Sequence, residues 1–92
     1  LKEGMVLSNE PGYYKKGHYG IRIENLIYIK KDKDNLYFQN LTLAPIEKDL
    51  INYDLLNEAE KDYLLKYHLD IYSKYCNFLT QNERKWLASL IK

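Results

Sequence analysis

Two hydrophobic rhythms divide the chain. In its first half, apolar residues alternate with polar ones, as a half-buried strand requires. The run Ile21 to Ile29 is the clearest case: Ile21, Ile23, Ile27 and Ile29 share one face, while Arg22, Glu24, Leu26 and Tyr28 share the other. Met5 to Glu10 reads as a shorter strand closed by Pro11-Gly12, because proline lacks an amide donor and glycine accepts turn dihedrals. Between them, Lys15 to Gly20 is polar and glycine-bracketed, which predicts a loop that returns the chain antiparallel, as a hairpin or a wider pair. Lys30 to Asn35 reads as a charged turn, and Leu36 to Leu43 as a third strand stopped by Pro45.

Beyond Pro45 the rhythm lengthens. Ala59, Tyr63, Leu64, Tyr67, Ile71 and Tyr75 recur at helical spacing, with Asn57 as N-cap and Glu60 three residues on to answer it. Thr80 and Glu83 repeat the capping-box spacing before a stripe of Trp86, Leu87, Leu90 and Ile91. The expectation is an α+β chain, antiparallel strands followed by a helical tail, with the change of composition between Pro45 and Tyr53 as the candidate boundary.

A chain of 92 residues makes one small domain at most and holds no large active-site cleft alone. Leu1 is not an initiator methionine and leads straight into a strand pattern, so the chain is expected to be the C-terminal piece of something longer. Fourteen basic and thirteen acidic residues leave a formal charge of +1 with both signs interspersed, which argues against nucleic acid and anionic membrane as partners. No apolar run is of membrane-spanning length. Cys76 is the single cysteine, so neither an internal disulfide nor a cysteine-rich metal site can form, which favours a reducing, cytoplasmic compartment.

Two carboxylates stand out. Glu10 sits at a strand end before Pro11-Gly12, and Glu24 lies among isoleucines in a strand whose neighbours suggest burial on both faces. A lone buried carboxylate is costly unless paired, protonated or bound to a cation. Arg22, two residues from Glu24 on the same face, offers an ordinary strand ion pair, and Glu10 could simply accept hydrogen bonds. Taken together, antiparallel strands could bring the two glutamates side by side, where a divalent cation would turn their repulsion into binding. Oxygen ligands suit hard or borderline ions such as Mn²⁺.

The stretches Glu10-Pro11-Gly12-Tyr13-Tyr14 and Tyr19-Gly20-Ile21-Arg22-Ile23-Glu24-Asn25 resemble the end of the catalytic domain of the Xaa-Pro aminopeptidases (aminopeptidase P), metallopeptidases of the pita-bread, creatinase/aminopeptidase-like fold. Leu41-Thr42-Leu43-Ala44-Pro45-Ile46 and Tyr67-His68 resemble the C-terminal extension of the long cytosolic members. The resemblance implies that residues 1–46 are the last strands of the metallopeptidase domain and 47–92 the helical extension. It implies two divalent ions, commonly manganese, that activate water and polarise the bond before a proline at the substrate's second position. Glu10 would bind metal, Glu24 would bridge both ions, and Arg22 would support them through an outer hydrogen bond. A homodimer through the extension is implied as well.

The family's two aspartate ligands, its histidine ligand and its proton-handling histidines lie upstream of the Glu-Pro-Gly motif, with no counterpart in these residues. Three of five ligands are therefore missing, and the chain alone is expected to be inactive. His18 reads as a surface-loop residue, His68 as a structural histidine of the tail, Tyr13 and Tyr14 as packing residues, and Cys76 as a small buried or half-buried side chain. The rival readings are a non-catalytic pita-bread binding module and a prolidase or methionine aminopeptidase relative.

Overall fold

The computed structural model describes residues 1–91, which form two compact units, one over residues 1–42 and the other from Leu43 onward. The first unit is all antiparallel strand: β1 (Val6–Asn9), β2 (Gly12–Lys15), β3 (Tyr19–Arg22), β4 (Asn25–Asp32) and β5 (Asn35–Asn40). β4 is central in a three-stranded sheet of order β1-β4-β5, and β2 pairs with β3 in a two-stranded ribbon.

The strands deviate from the sequence expectation in four places, the simplest being that β5 ends at Asn40 and not at Leu43. Lys15 to Gly20 is not wholly loop: Lys15 pairs with Tyr19, and only Lys16, Gly17 and His18 turn, with Gly17 at φ 77° and the His18 N–H donating to the Lys15 carbonyl at 3.0 Å. The run Ile21 to Ile29 is not one strand but two, interrupted at Ile23 and Glu24. The charged turn is shorter than its charge pattern, because β4 extends to Asp32 and β5 starts at Asn35, leaving Lys33, at φ 56°, and Asp34 to reverse the chain. Lysines on exposed strand ends cost nothing to solvate, so charge alone did not mark the turn.

Tyr14 explains two glycines. A Cβ at Gly20 would lie 2.5 Å from Tyr14 Cδ1, and one at Gly12 would lie 2.7 Å from the Tyr14 hydroxyl. The ring thus lies across both positions of the ribbon, covering backbone that glycine leaves bare.

In the second unit both predicted helices form where their caps place them. α1 (Glu58–Tyr75) opens on a complete capping box: Asn57 Oδ1 accepts from the Glu60 N–H at 2.8 Å, and Glu60 Oε1 accepts from the Asn57 N–H at 2.9 Å. α2 (Gln81–Leu90) opens on the same device from Thr80 and Glu83, at 3.2 and 2.7 Å. Hydrogen bonding to Thr80, first to its backbone N–H and then to its side chain, holds the Glu83 carboxyl below its usual pKa. Each box satisfies two otherwise unpaired amides and contributes about 1 kcal/mol.

The buried face of α1 is Leu64, Tyr67, His68 and Ile71, a single stripe at spacings of three and four. Tyr63 and Tyr75 flank that stripe and are exposed, and in α2 Leu87 is buried while Trp86 is exposed. The segment after β5 is tied to α1 by two polar bonds. The Tyr67 hydroxyl donates to the Ala44 carbonyl at 2.6 Å, and the Ile46 N–H donates to His68 Nε2 at 3.1 Å. Both members of the Tyr67-His68 pair therefore hold the Leu43 to Ile46 strap. Lys48 Nζ donates to the Ser89 carbonyl at 2.6 Å, and Arg84 Nε to the Cys76 carbonyl at 2.5 Å, fastening α2 within the same unit.

Candidate metal centre

Glu10 lies between β1 and β2, and Glu24 between β3 and β4. Across this break the pairing keeps one register: Asn9 faces Asn25 on one side, Gly12 faces Arg22 on the other. Pro11 cannot donate, but its carbonyl accepts the Ile23 N–H at 3.1 Å, so the ribbon passes through the proline instead of ending there. The register, continued across the break, sets Glu10 opposite Glu24.

The two carboxylates have different neighbours. Ser8 Oγ donates to Glu10 Oε2 at 2.6 Å, a contact between i and i+2 that the sequence reading overlooked although the strand period puts both residues on one face. Arg22 Nε lies 3.8 Å from Glu24 Oε2, with the two side chains about half exposed. The ordinary ion pair therefore exists, and at that exposure it is worth no more than about 1 kcal/mol. Glu24 is not buried on both faces as its isoleucine neighbours suggested; Ile21 and Ile23 are themselves 49% and 47% exposed, so the flanking apolar residues do not close over it. Among the described residues no group of three or more His, Cys, Asp and Glu side chains is placed to hold a metal ion.

The remaining candidates have their own surroundings. His18 is in the β2–β3 turn, and the Tyr13 and Tyr19 rings of the ribbon lie 6.1 Å apart, both exposed. His68 is buried, its Nε2 committed to Ile46. Cys76 is half-buried, its thiol donating to the Ser73 carbonyl at 3.6 Å. The donor set at the break is thus carboxylate oxygen, which fits part of the shell of a hard or borderline divalent cation and cannot complete one. No helix among the described residues is long and apolar enough to cross a membrane.

Comparison with known proteins gives the same parentage for both halves of the chain. A profile described as the C-terminal region of peptidase M24 matches residues 34–92, and one for metallopeptidase family M24 matches residues 1–31. A protein of Coprinopsis cinerea named "Probable Xaa-Pro aminopeptidase P" is 42% identical over 97 residues, covering 95% of this chain and 16% of the relative. Another of the same name from Sclerotinia sclerotiorum is 44% identical over 102 residues, covering 100% of this chain and 17% of the relative. The chain thus spans about one-sixth of the length of the curated relatives it matches. The crystal structure of X-prolyl aminopeptidase from Caenorhabditis elegans, described as a cytosolic enzyme with a di-nuclear active site, superposes on all of this chain and 17% of its own, with a TM-score of 0.83 and 35% identity. The antiparallel strands and capped helices described above are accordingly those of the C-terminal portion of that fold, and the chain belongs to the M24 metallopeptidase family.

Proposed function

We propose that this chain is the C-terminal portion of a dinuclear-metal aminopeptidase that hydrolyses the bond between an N-terminal residue and a following proline. The observation that carries the reading is the register that sets Glu10 opposite Glu24 across the strand break, in a chain of this family. In it, Glu10 would hold one ion and Glu24 would be shared by two, with Arg22, 3.8 Å away, orienting Glu24. The facing carboxylates fit such ions by donor chemistry, manganese being the expected metal. Bound there, the ions supply Lewis acidity toward the scissile carbonyl and the attacking water. Ser8 fixes the Glu10 carboxylate by its 2.6 Å hydrogen bond, which leaves the other oxygen available as a ligand.

The division of labour belongs to the same proposal. Residues 1–46 are the last strands of the pita-bread catalytic domain, and 47–92 are a helical extension that pairs two subunits in a cytoplasmic homodimer. Support for the second part comes from the apolar residues that the helical unit leaves uncovered, among them Leu65, Leu69, Phe78 and Trp86, exposed by 53%, 53%, 84% and 63%.

The test is substitution in the full-length protein. Glu24→Ala should abolish release of the N-terminal residue from an Xaa-Pro peptide, and Glu10→Ala should lower the bound metal measured by mass spectrometry. The 92-residue chain alone should give no turnover. Wild-type metal content and rate in both variants would overturn the ligand assignment.

A further inference from the structure

The edge of the sheet nearest Glu24 is closed by a side chain in place of a backbone group. The last backbone pair between β4 and β5 is Ile27 with Asn40. One step beyond, the Leu41 N–H donates to the Leu26 carbonyl at 2.8 Å, but the Leu26 N–H donates to Thr42 Oγ1, at 2.7 Å. Asn40 Nδ2 donates to the Thr42 carbonyl at 2.5 Å, which holds the threonine in place for that bond. Thr42 is half-buried, and its hydroxyl stands where the next main-chain acceptor of the ladder would be.

Leu26 is two residues from Glu24, which immediately precedes β4. On the β1 side this stretch is held by the Asn9–Asn25 pair and by the Ile23 bond to Pro11. On the β5 side it is held at Leu26 by Leu41 and Thr42. We infer that Thr42 is a positioning residue for the Glu24 ligand: its hydroxyl anchors the start of β4 at Leu26, so that the Glu24 carboxylate is presented at a fixed reach opposite Glu10. This rests on the reading of Glu24 as a metal ligand. Ligand distances tolerate only a few tenths of an ångström, and groups that orient a ligand from outside the coordination shell typically govern affinity about tenfold or more. Leu26 is exposed and its bond to Thr42 lies at the surface, so the amide, once released, can bond to water. Loss of the hydroxyl should therefore cost the fold little and the site much.

The experiment uses the full-length protein with Thr42→Val, which keeps the shape and removes the acceptor, Thr42→Ser, which keeps the acceptor, and Glu24→Ala as reference. Manganese affinity of the metal-stripped protein, its melting temperature without metal, and kcat and KM are measured for each. Thr42→Val should bind manganese about tenfold more weakly and lose kcat with KM little changed, at a metal-free melting temperature near wild type; Thr42→Ser should restore the affinity. Wild-type affinity in Thr42→Val, beside a metal-deficient Glu24→Ala, would overturn the role of Thr42 alone. Equal weakness in the serine variant would overturn it too, as would a lowered melting temperature with unchanged affinity. A Glu24→Ala protein with wild-type manganese affinity would overturn the ligand reading and this inference with it.

Discussion

His68 is a buried titratable group of the helical unit, and its protonation should loosen that unit. The imidazole is 2% exposed, and its Nε2 accepts the Ile46 N–H at 3.1 Å, which requires a free lone pair and therefore a neutral ring with its proton on Nδ1. Burial lowers its pKa below the ordinary value by penalising the charged form. Lys61, which lines a small cavity together with His68, is paired with Glu58 at 3.7 Å. In the unfolded chain the ring titrates near 6.5. Between the two pKa values the unfolded state binds the extra proton, so stability is full above about 6.5 and falls with pH below it, by up to about 1.4 kcal/mol per pH unit until the folded pKa is passed. His68→Phe leaves the Ile46 amide without its partner, a cost of about 1–3 kcal/mol at neutral pH. The wild-type advantage should then shrink as pH falls from 7.5 to 5, since only wild type has a proton to take up at this site. Urea unfolding of both proteins at several pH values reads the gap directly. With His18→Gln removing the second of the chain's two histidines, the imidazole signal in NMR reports the His68 titration alone. A gap independent of pH, or a titration at or above 6.5, would refute the argument.

Gly20→Ala puts a methyl 2.5 Å from Tyr14 Cδ1 and should drive the ring off the ribbon, costing about 1 kcal/mol of cross-strand packing. The lowered urea midpoint should largely vanish in a Tyr14→Ala background, and an equal cost in both backgrounds would show that the ring is not the cause. Cutting the full-length protein after Ile51 should give monomer or aggregate while leaving Glu10 and Glu24 in place; light scattering that shows an unchanged soluble dimer would refute an interface role for the tail.

The residues alone determined whatever is decided within a few positions of the chain. Both helix starts were legible because a capping box is an exchange between residues three apart, and it operates wherever those residues meet. The facing of Glu10 and Glu24 was legible as a possibility, since a hairpin alternates sides by a fixed rule. Only the tertiary structure decided the rest. Pro11 read as a strand end because proline lacks a donor, yet its carbonyl remains an acceptor, and Ile23 from the returning strand uses it. His68 and Ile46 are 22 residues apart, and no local pattern marks the bond that makes this histidine structural. The same holds for Thr42, whose hydroxyl serves Leu26, 16 residues away. Tyr63 and Tyr67 have one side-chain chemistry and stack at 6.4 Å, but one is exposed and the other buried, because burial follows from what packs against a helix face. Periodicity is a property of the chain, whereas the acceptor that a buried donor finds is set by segments distant in sequence that arrive only when the chain has folded.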